Sequence, residues 1–182
     1  TITIDTNGKT ITKTVSSLQS SGTLTITGTG TITTALESMI VVSGGTLNVN
    51  GGTLQSTSGS IIEMTDNTNA NINISGATNM TANKMVINGA VRHTGTINIT
   101  GGTLTSTVNS AINYPGTGTL NIGTKDGNVS ITTPSITSNA RAINATNGFN
   151  FYDGILKGSI SAYDGNVNDI ETGYTVYAPA DK

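Results

Sequence analysis

Cysteine and tryptophan are absent from this 182-residue chain, histidine occurs once, proline three times, and only 10% of residues are charged. Each absence removes a class of chemistry. Without cysteine there are no disulfide staples and no thiol nucleophile, and with His93 as the single histidine there is no ligand set for zinc. His93 is expected to be a turn residue, not a catalytic base. A net charge of −2 gives no basic footprint for nucleic acid or an anionic membrane surface. No apolar run is long enough to span a bilayer or to serve as a signal peptide, so the expectation is a mature segment or one cut from a longer chain. Aromatic residues make up 4% of the chain and gather towards its C-terminal end.

What the chain has in abundance is threonine, glycine, serine and asparagine, arranged around regularly placed β-branched residues. Thr96-Ile97-Asn98-Ile99-Thr100-Gly101-Gly102-Thr103-Leu104 shows the pattern: strict alternation, a glycine bend, then a second strand. Versions of this unit return about seven times. The first buried positions are Ile2, Leu24, Leu47, Ile72, Ile97, Leu120 and Phe149, followed two residues later by Ile4, Ile26, Val49, Ile74, Ile99, Ile122 and Phe151. A second column after the bend is Ile11, Ile32, Leu54, Met80, Leu104, Val129 and Leu156, and a third is Leu18, Ile40, Ile62, Val86, Ile112 and Ile143. The repeat length, about 22 to 29 residues, is that of a solenoid.

The expected fold is therefore all-β: a single-stranded parallel β-helix of about seven three-strand coils, right-handed by the usual hand of parallel crossovers. It is expected to form one domain over residues 1–182, with coils starting near 1, 23, 46, 71, 96, 119 and 148 and a C-terminal cap over about 159–182. The first coil, with Ile2 and Ile4, has no capping element before it, so contact with a neighbouring domain or a second copy is expected there. Thr124-Lys125-Asp126-Gly127 and Thr133-Pro134-Ser135 read as turn insertions that lengthen the sixth coil.

Two surface features follow from the columns. Thr25, Asn48, Asn73, Asn98, Asn121 and Asn150 fall between the buried positions of the first strand, forming an outward ladder whose amides can bond along the axis. The same array is the candidate ligand face for a glycan. If Ile40, Ile62 and Val86 point inward, alternation sends Met39, Val41, Ile61, Met85 and Ile87 outward as an apolar contact strip. A register shifted by one would instead place these residues in the core.

A resemblance covers essentially the whole chain. Asn150-Phe151-Tyr152-Asp153-Gly154-Ile155-Leu156-Lys157-Gly158 and Asp169-Ile170-Glu171-Thr172-Gly173-Tyr174, with the Gly-Gly-Thr-Leu coils before them, resemble the Thr/Gly-rich parallel β-helix repeat regions of secreted surface proteins of Gram-positive bacteria. The resemblance implies an extracellular, adhesin-like module and brings no catalytic residues with it.

The sequence thus points to a non-enzymatic structural or adhesive solenoid at the cell surface: a stalk, filament subunit or adhesin segment. It would contact itself or neighbouring domains of its chain, without cofactor, metal, nucleic acid or membrane insertion. The alternative is a carbohydrate-binding module using the Asn/Thr ladder or the loops of the sixth coil. A polysaccharide lyase or hydrolase needs clustered carboxylates, which the scattered acids do not supply in the coil register, and there is no Gly-x-Ser-x-Gly elbow. Ice binding through Thr-x-Thr strands is disfavoured because Thr23-x-Thr25-x-Thr27 is not maintained in later coils.

Overall fold

Threonine and β-branched residues at alternate positions favour extended backbone, and glycine every few residues interrupts it, so short strands joined by bends are the local outcome. The computed structural model describes residues 1–14, 17–66 and 68–171, and these form a parallel β-solenoid of about seven turns with no helix among them.

Strands three apart in sequence are neighbours in space, which sorts them into three ladders. The first ladder runs through Ile2–Asp5, Thr23–Thr27, Thr46–Asn50, Asn71–Ser75, Thr96–Ile99 and Thr119–Ile122. The second is Thr10–Lys13, Thr31–Thr34, Thr53–Ser56, Asn79–Ala82, Thr103–Ser106, Ser135–Ser138 and Ile155–Gly158. The third is Leu18–Ser20, Ser38–Val42, Ser60–Met64, Ile87–Asn88 and Ile112–Tyr114. The long strand Arg141–Phe151 belongs to both outer ladders: Ile143 pairs with Ile112 at one end and Asn150 with Asn121 at the other, joining first and third ladders into one sheet.

Pairing is in register, so like residues stack on like. Val49, Ile74 and Ile99 lie in line, all fully buried, and Leu54, Met80 and Leu104 do the same on the second ladder. Each coil contributes a layer to one continuous apolar column. At the bend after the first strand, Gly102 has φ 87°, and a Cβ there would come within 2.6 Å of the Thr78 carbonyl oxygen, so conformation and space both require glycine.

Three expectations need correction. Val129 is not the second-ladder member of the sixth coil: Leu104 pairs with Ile136, and Val129 is exposed. The insertion is therefore one loop, 123–134, and Ser135 opens the strand that follows it. The third column passes through Ile87, which pairs with Ile62 and Ile112, not through Val86. Strand Ser161–Ile170 pairs in parallel along Arg141–Phe151, so the stretch expected to begin the C-terminal cap adds a further paired layer to the stack. The remainder of the proposed cap, 172–182, lies outside the described residues.

The apolar strip is the largest correction. Met39, Ile61 and Ile87 are fully buried, while Val41 and Met85 are half-buried. Alternation fails at the corner leading into the third ladder. There the N–H groups of Val86 and Ile87 both donate to the Ala111 carbonyl, at 2.8 and 3.1 Å, and consecutive residues turn inward. Met39 and Ile40, Ile61 and Ile62, and Val86 and Ile87 all enter the core as adjacent pairs.

Replacing Ile74 by Ala is expected to cost about 2–5 kcal/mol, the usual range for emptying a buried aliphatic site. Ile74→Asp places an unpaired charge in the column and is expected to abolish cooperative unfolding of the middle coils. Urea denaturation followed by circular dichroism reads both, and a wild-type midpoint for Ile74→Asp would contradict the inward columns.

Candidate functional site

The first-ladder amides form a bonded row. Asn150 Nδ2 donates to Asn121 Oδ1 at 2.8 Å, Asn121 to Asn98 at 2.8 Å, Asn98 to Asn73 at 3.0 Å and Asn73 to Asn48 at 2.9 Å. Asn48 donates to Thr25 Oγ1 at 3.4 Å, the weakest rung. All six side chains are half-buried. Every amide donates toward the N-terminal coil, so the row is polar along the axis, and each asparagine from Asn48 to Asn121 has one donor and one acceptor already committed.

A second row on the third ladder was missed by sequence reasoning. Asn144 donates to Asn113 at 3.0 Å, Asn113 to Asn88 at 3.1 Å, and Asn88 to the Glu63 carboxylate at 2.8 Å. The signal was present: these asparagines directly follow Ile143, Ile112 and Ile87, and setting the column at Val86 hid the alignment. Burial raises the pKa of Glu63, against the lowering effect of the Asn88 amide, with further upward pressure from Glu37. Lys84 forms an ion pair with Glu37 beside it.

Both rows meet an aspartate in the strand Ser161–Ile170. Asp164 stacks on Asn144 and Asp169 on Asn150. A carboxylate cannot donate to the amide beneath it, and each turns to other donors: Asp164 to Arg141 Nε at 3.4 Å, Asp169 to Lys125 Nζ at 2.7 Å and to the Tyr152 hydroxyl, which donates at 3.1 Å. The Lys125 ammonium holds Asp169 below the usual carboxylate range, and Asp169 in turn raises Lys125.

His93 is buried, as few turn residues are. Its Nε2 lies 2.7 Å from the Ala70 carbonyl, which only accepts, so Nε2 carries the proton and Nδ1 accepts from the Tyr114 hydroxyl at 2.7 Å. The rings meet edge to face with centroids 5.6 Å apart. Burial pushes the Tyr114 hydroxyl up to about 12 and lowers His93 despite the Ala70 hydrogen bond. With both ring nitrogens committed, the pair is a structural plug at this corner.

Among the described residues, no three histidine, cysteine, aspartate or glutamate side chains converge in a way that would hold a metal ion. Outward positions of the first ladder from Thr23 to Asn121, and of the second from Thr31 to Thr137, carry no charged residue. Thr-x-Thr pairs, absent as a series from the first ladder, do occur on the second at Thr10/Thr12, Thr31/Thr33 and Thr103/Thr105, interrupted by Gln55, Asn79 and Ser135.

No family model matches the chain, and no curated protein and no solved structure matches it.

Asn98→Ala removes two rungs and is expected to destabilise by about 1–3 kcal/mol, whereas Asn79→Ala, whose exposed side chain has no role in either row, should stay within about 0.5 kcal/mol. Equal melting temperatures for the two variants would contradict the structural role of the row. The folded-state pKa of His93 lies below its ordinary 6.5, so the unfolded chain binds the proton first. Its contribution is complete above about pH 6.5 and declines as pH falls below that value, until the folded form also titrates. Denaturation midpoints should drop between about pH 7.5 and 5.5 in the wild type and vary less in His93→Gln. Glu63, with its raised pKa, acts in the opposite sense, because its protonation favours the folded state.

Proposed function

We propose that this chain is a non-enzymatic, extracellular structural module, a stalk or adhesin segment whose work is to hold a stiff, charge-poor shape. The observation that carries this reading is the pair of asparagine rows laid over a continuous apolar column. Backbone pairing, side-chain bonding and core packing all repeat along the same axis, so bending the solenoid would strain all three together. Uncharged outward positions from Thr23 to Asn121 on the first ladder and from Thr31 to Thr137 on the second allow close approach to a neighbouring surface without electrostatic repulsion. The extracellular location rests on the resemblance of the Gly-Gly-Thr-Leu coils and the Phe-Tyr-Asp-Gly segment to bacterial surface repeats.

Contact with another coil, from a neighbouring domain or a second copy, is assigned to the first coil. Among the described residues Ile2 is 65% exposed and Ile11 38% exposed, and the strands carrying them stand at the ends of their ladders with no strand paired to one edge. The strip of Met39, Ile61 and Ile87 is withdrawn as a contact because those side chains fill the core.

Light scattering across a concentration series tests the contact. Wild-type mass is expected to rise with concentration, and Ile2→Lys combined with Ile11→Lys to remain monomeric with an unchanged melting temperature. A strictly monomeric wild type would remove self-contact from the proposal, and release of reducing or unsaturated sugar from a uronate polymer would remove its non-enzymatic part.

A further inference from the structure

Side chains with uncommitted hydrogen-bonding groups gather where loop 123–134 lies against the second ladder. A groove there is lined by the bend Gly76–Thr78, by Asn79 and Thr103 from neighbouring second-ladder strands, by the Gly102 bend, and by Thr132 and Thr133 from the loop. The side chains of Asn79, Thr103 and Thr133 have no hydrogen-bond partner within the described residues, and Thr132 has only a long one, 3.4 Å to Ser130 Oγ. No charged residue lines it.

The loop wall is held in place. Asp153 accepts from the backbone N–H of Thr124 at 2.8 Å with one carboxylate oxygen and from that of Ser130 at 2.6 Å with the other. Gly154 N donates to the Ser130 carbonyl at 2.7 Å and Ile155 N to the Pro134 carbonyl at 2.9 Å, while Asp126 closes a turn with the Asn128 N–H. Such a loop has little ordering entropy left to lose when a ligand arrives.

We propose that this groove binds a neutral oligosaccharide. Hydroxyl and amide groups both donate and accept, which matches a polyol whose every hydroxyl does the same. The uncharged lining offers nothing to neutralise a uronate or a phosphate. A peptide strand is a poor match because the backbone at the site is already paired: Asn79 N donates to the Gly52 carbonyl, Thr103 N to the Thr78 carbonyl, and the Ser130 carbonyl accepts from Gly154. With no aromatic residue among the lining groups to stack on the ring, affinity is weak, with a Kd of about a millimolar. The inference extends the adhesive half of the reading above, and its failure would leave the stiffness and first-coil contact untouched, since those are read by melting and by mass.

The test is an amide and side-chain NMR titration of the whole chain with uncharged hexasaccharides of β-1,4-linked glucose, xylose and mannose and of β-1,3-linked glucose, with trigalacturonate as the charged comparison. Saturable shifts at Asn79, Thr103, Thr132 and Thr133 with at least one uncharged member are expected. Asn79→Ala with Thr103→Val should weaken that binding at least fivefold at unchanged melting temperature. Asp153→Ala should weaken it by freeing the loop, and Asp153→Asn, which keeps one acceptor, should restore part of it. No saturable shift with any uncharged member up to about 10 mM, an equal response to trigalacturonate, shifts centred on Asn73 and Asn98, or full affinity in the Asn79/Thr103 variant would each overturn the proposal.

Discussion

The whole structure depends on parallel pairing without slip from one coil to the next. Side chains alternate with a period of two along a strand, so a shift of one residue anywhere would turn an aliphatic column outward and bury a row of polar groups. The chain guards against this with redundancy. Leucine, isoleucine or valine occupies two positions of nearly every first-ladder strand, and each of the middle coils adds a buried apolar residue on the second ladder and two at the third corner. No single layer carries the register alone, and each inherits it from the layers on either side.

Register then creates the asparagine rows. Amides at equivalent positions are brought to the spacing of paired strands, about 4.8 Å, which an Asn side chain bridges with one hydrogen bond. Because the coils all run in one direction, every amide faces the same way and the row gains a polarity. Glu63 receives the donor end of the third-ladder row, while Asp164 and Asp169 stand where a donor would be needed to continue the two rows. The same rows that stiffen the axis have few polar valences left for a ligand. The proposed recognition site lies instead where the sixth-coil insertion meets the second ladder, beside the uncommitted side chains of Asn79 and Thr103.

Corners are where the repeat logic breaks, and they hold the departures from simple alternation. At the third-ladder corner two adjacent residues point inward, closing the core with Met39, Ile61 and Val86 where a flat strand would have shown them to solvent. At another corner His93 and Tyr114 fill a buried space and satisfy each other and the Ala70 carbonyl. Serine and threonine do the same work at the bend after the second ladder, where the Thr34 hydroxyl donates to the Lys13 carbonyl and accepts from Leu36 N–H, and Ser138 accepts from Ala140 N–H.

By itself the sequence determined the parallel solenoid, its repeat length, the first-ladder columns and the asparagine row over them, because those depend on a short-range alternation that recurs with every coil. It did not determine that both of two adjacent apolar residues face inward at a corner, since strict alternation admits only one of Met39-Ile40 or Val86-Ile87 and only the path of the backbone turns both into the core. It did not separate Val129 from Ile136 either: both follow a bend, and pairing with Leu104 decides. The second amide row became legible only once the column was set at Ile87, and the clamp of Asp153 on loop 123–134 and the burial of His93 belong wholly to the tertiary structure, because each joins residues from different coils whose separation in sequence is set by loops of irregular length.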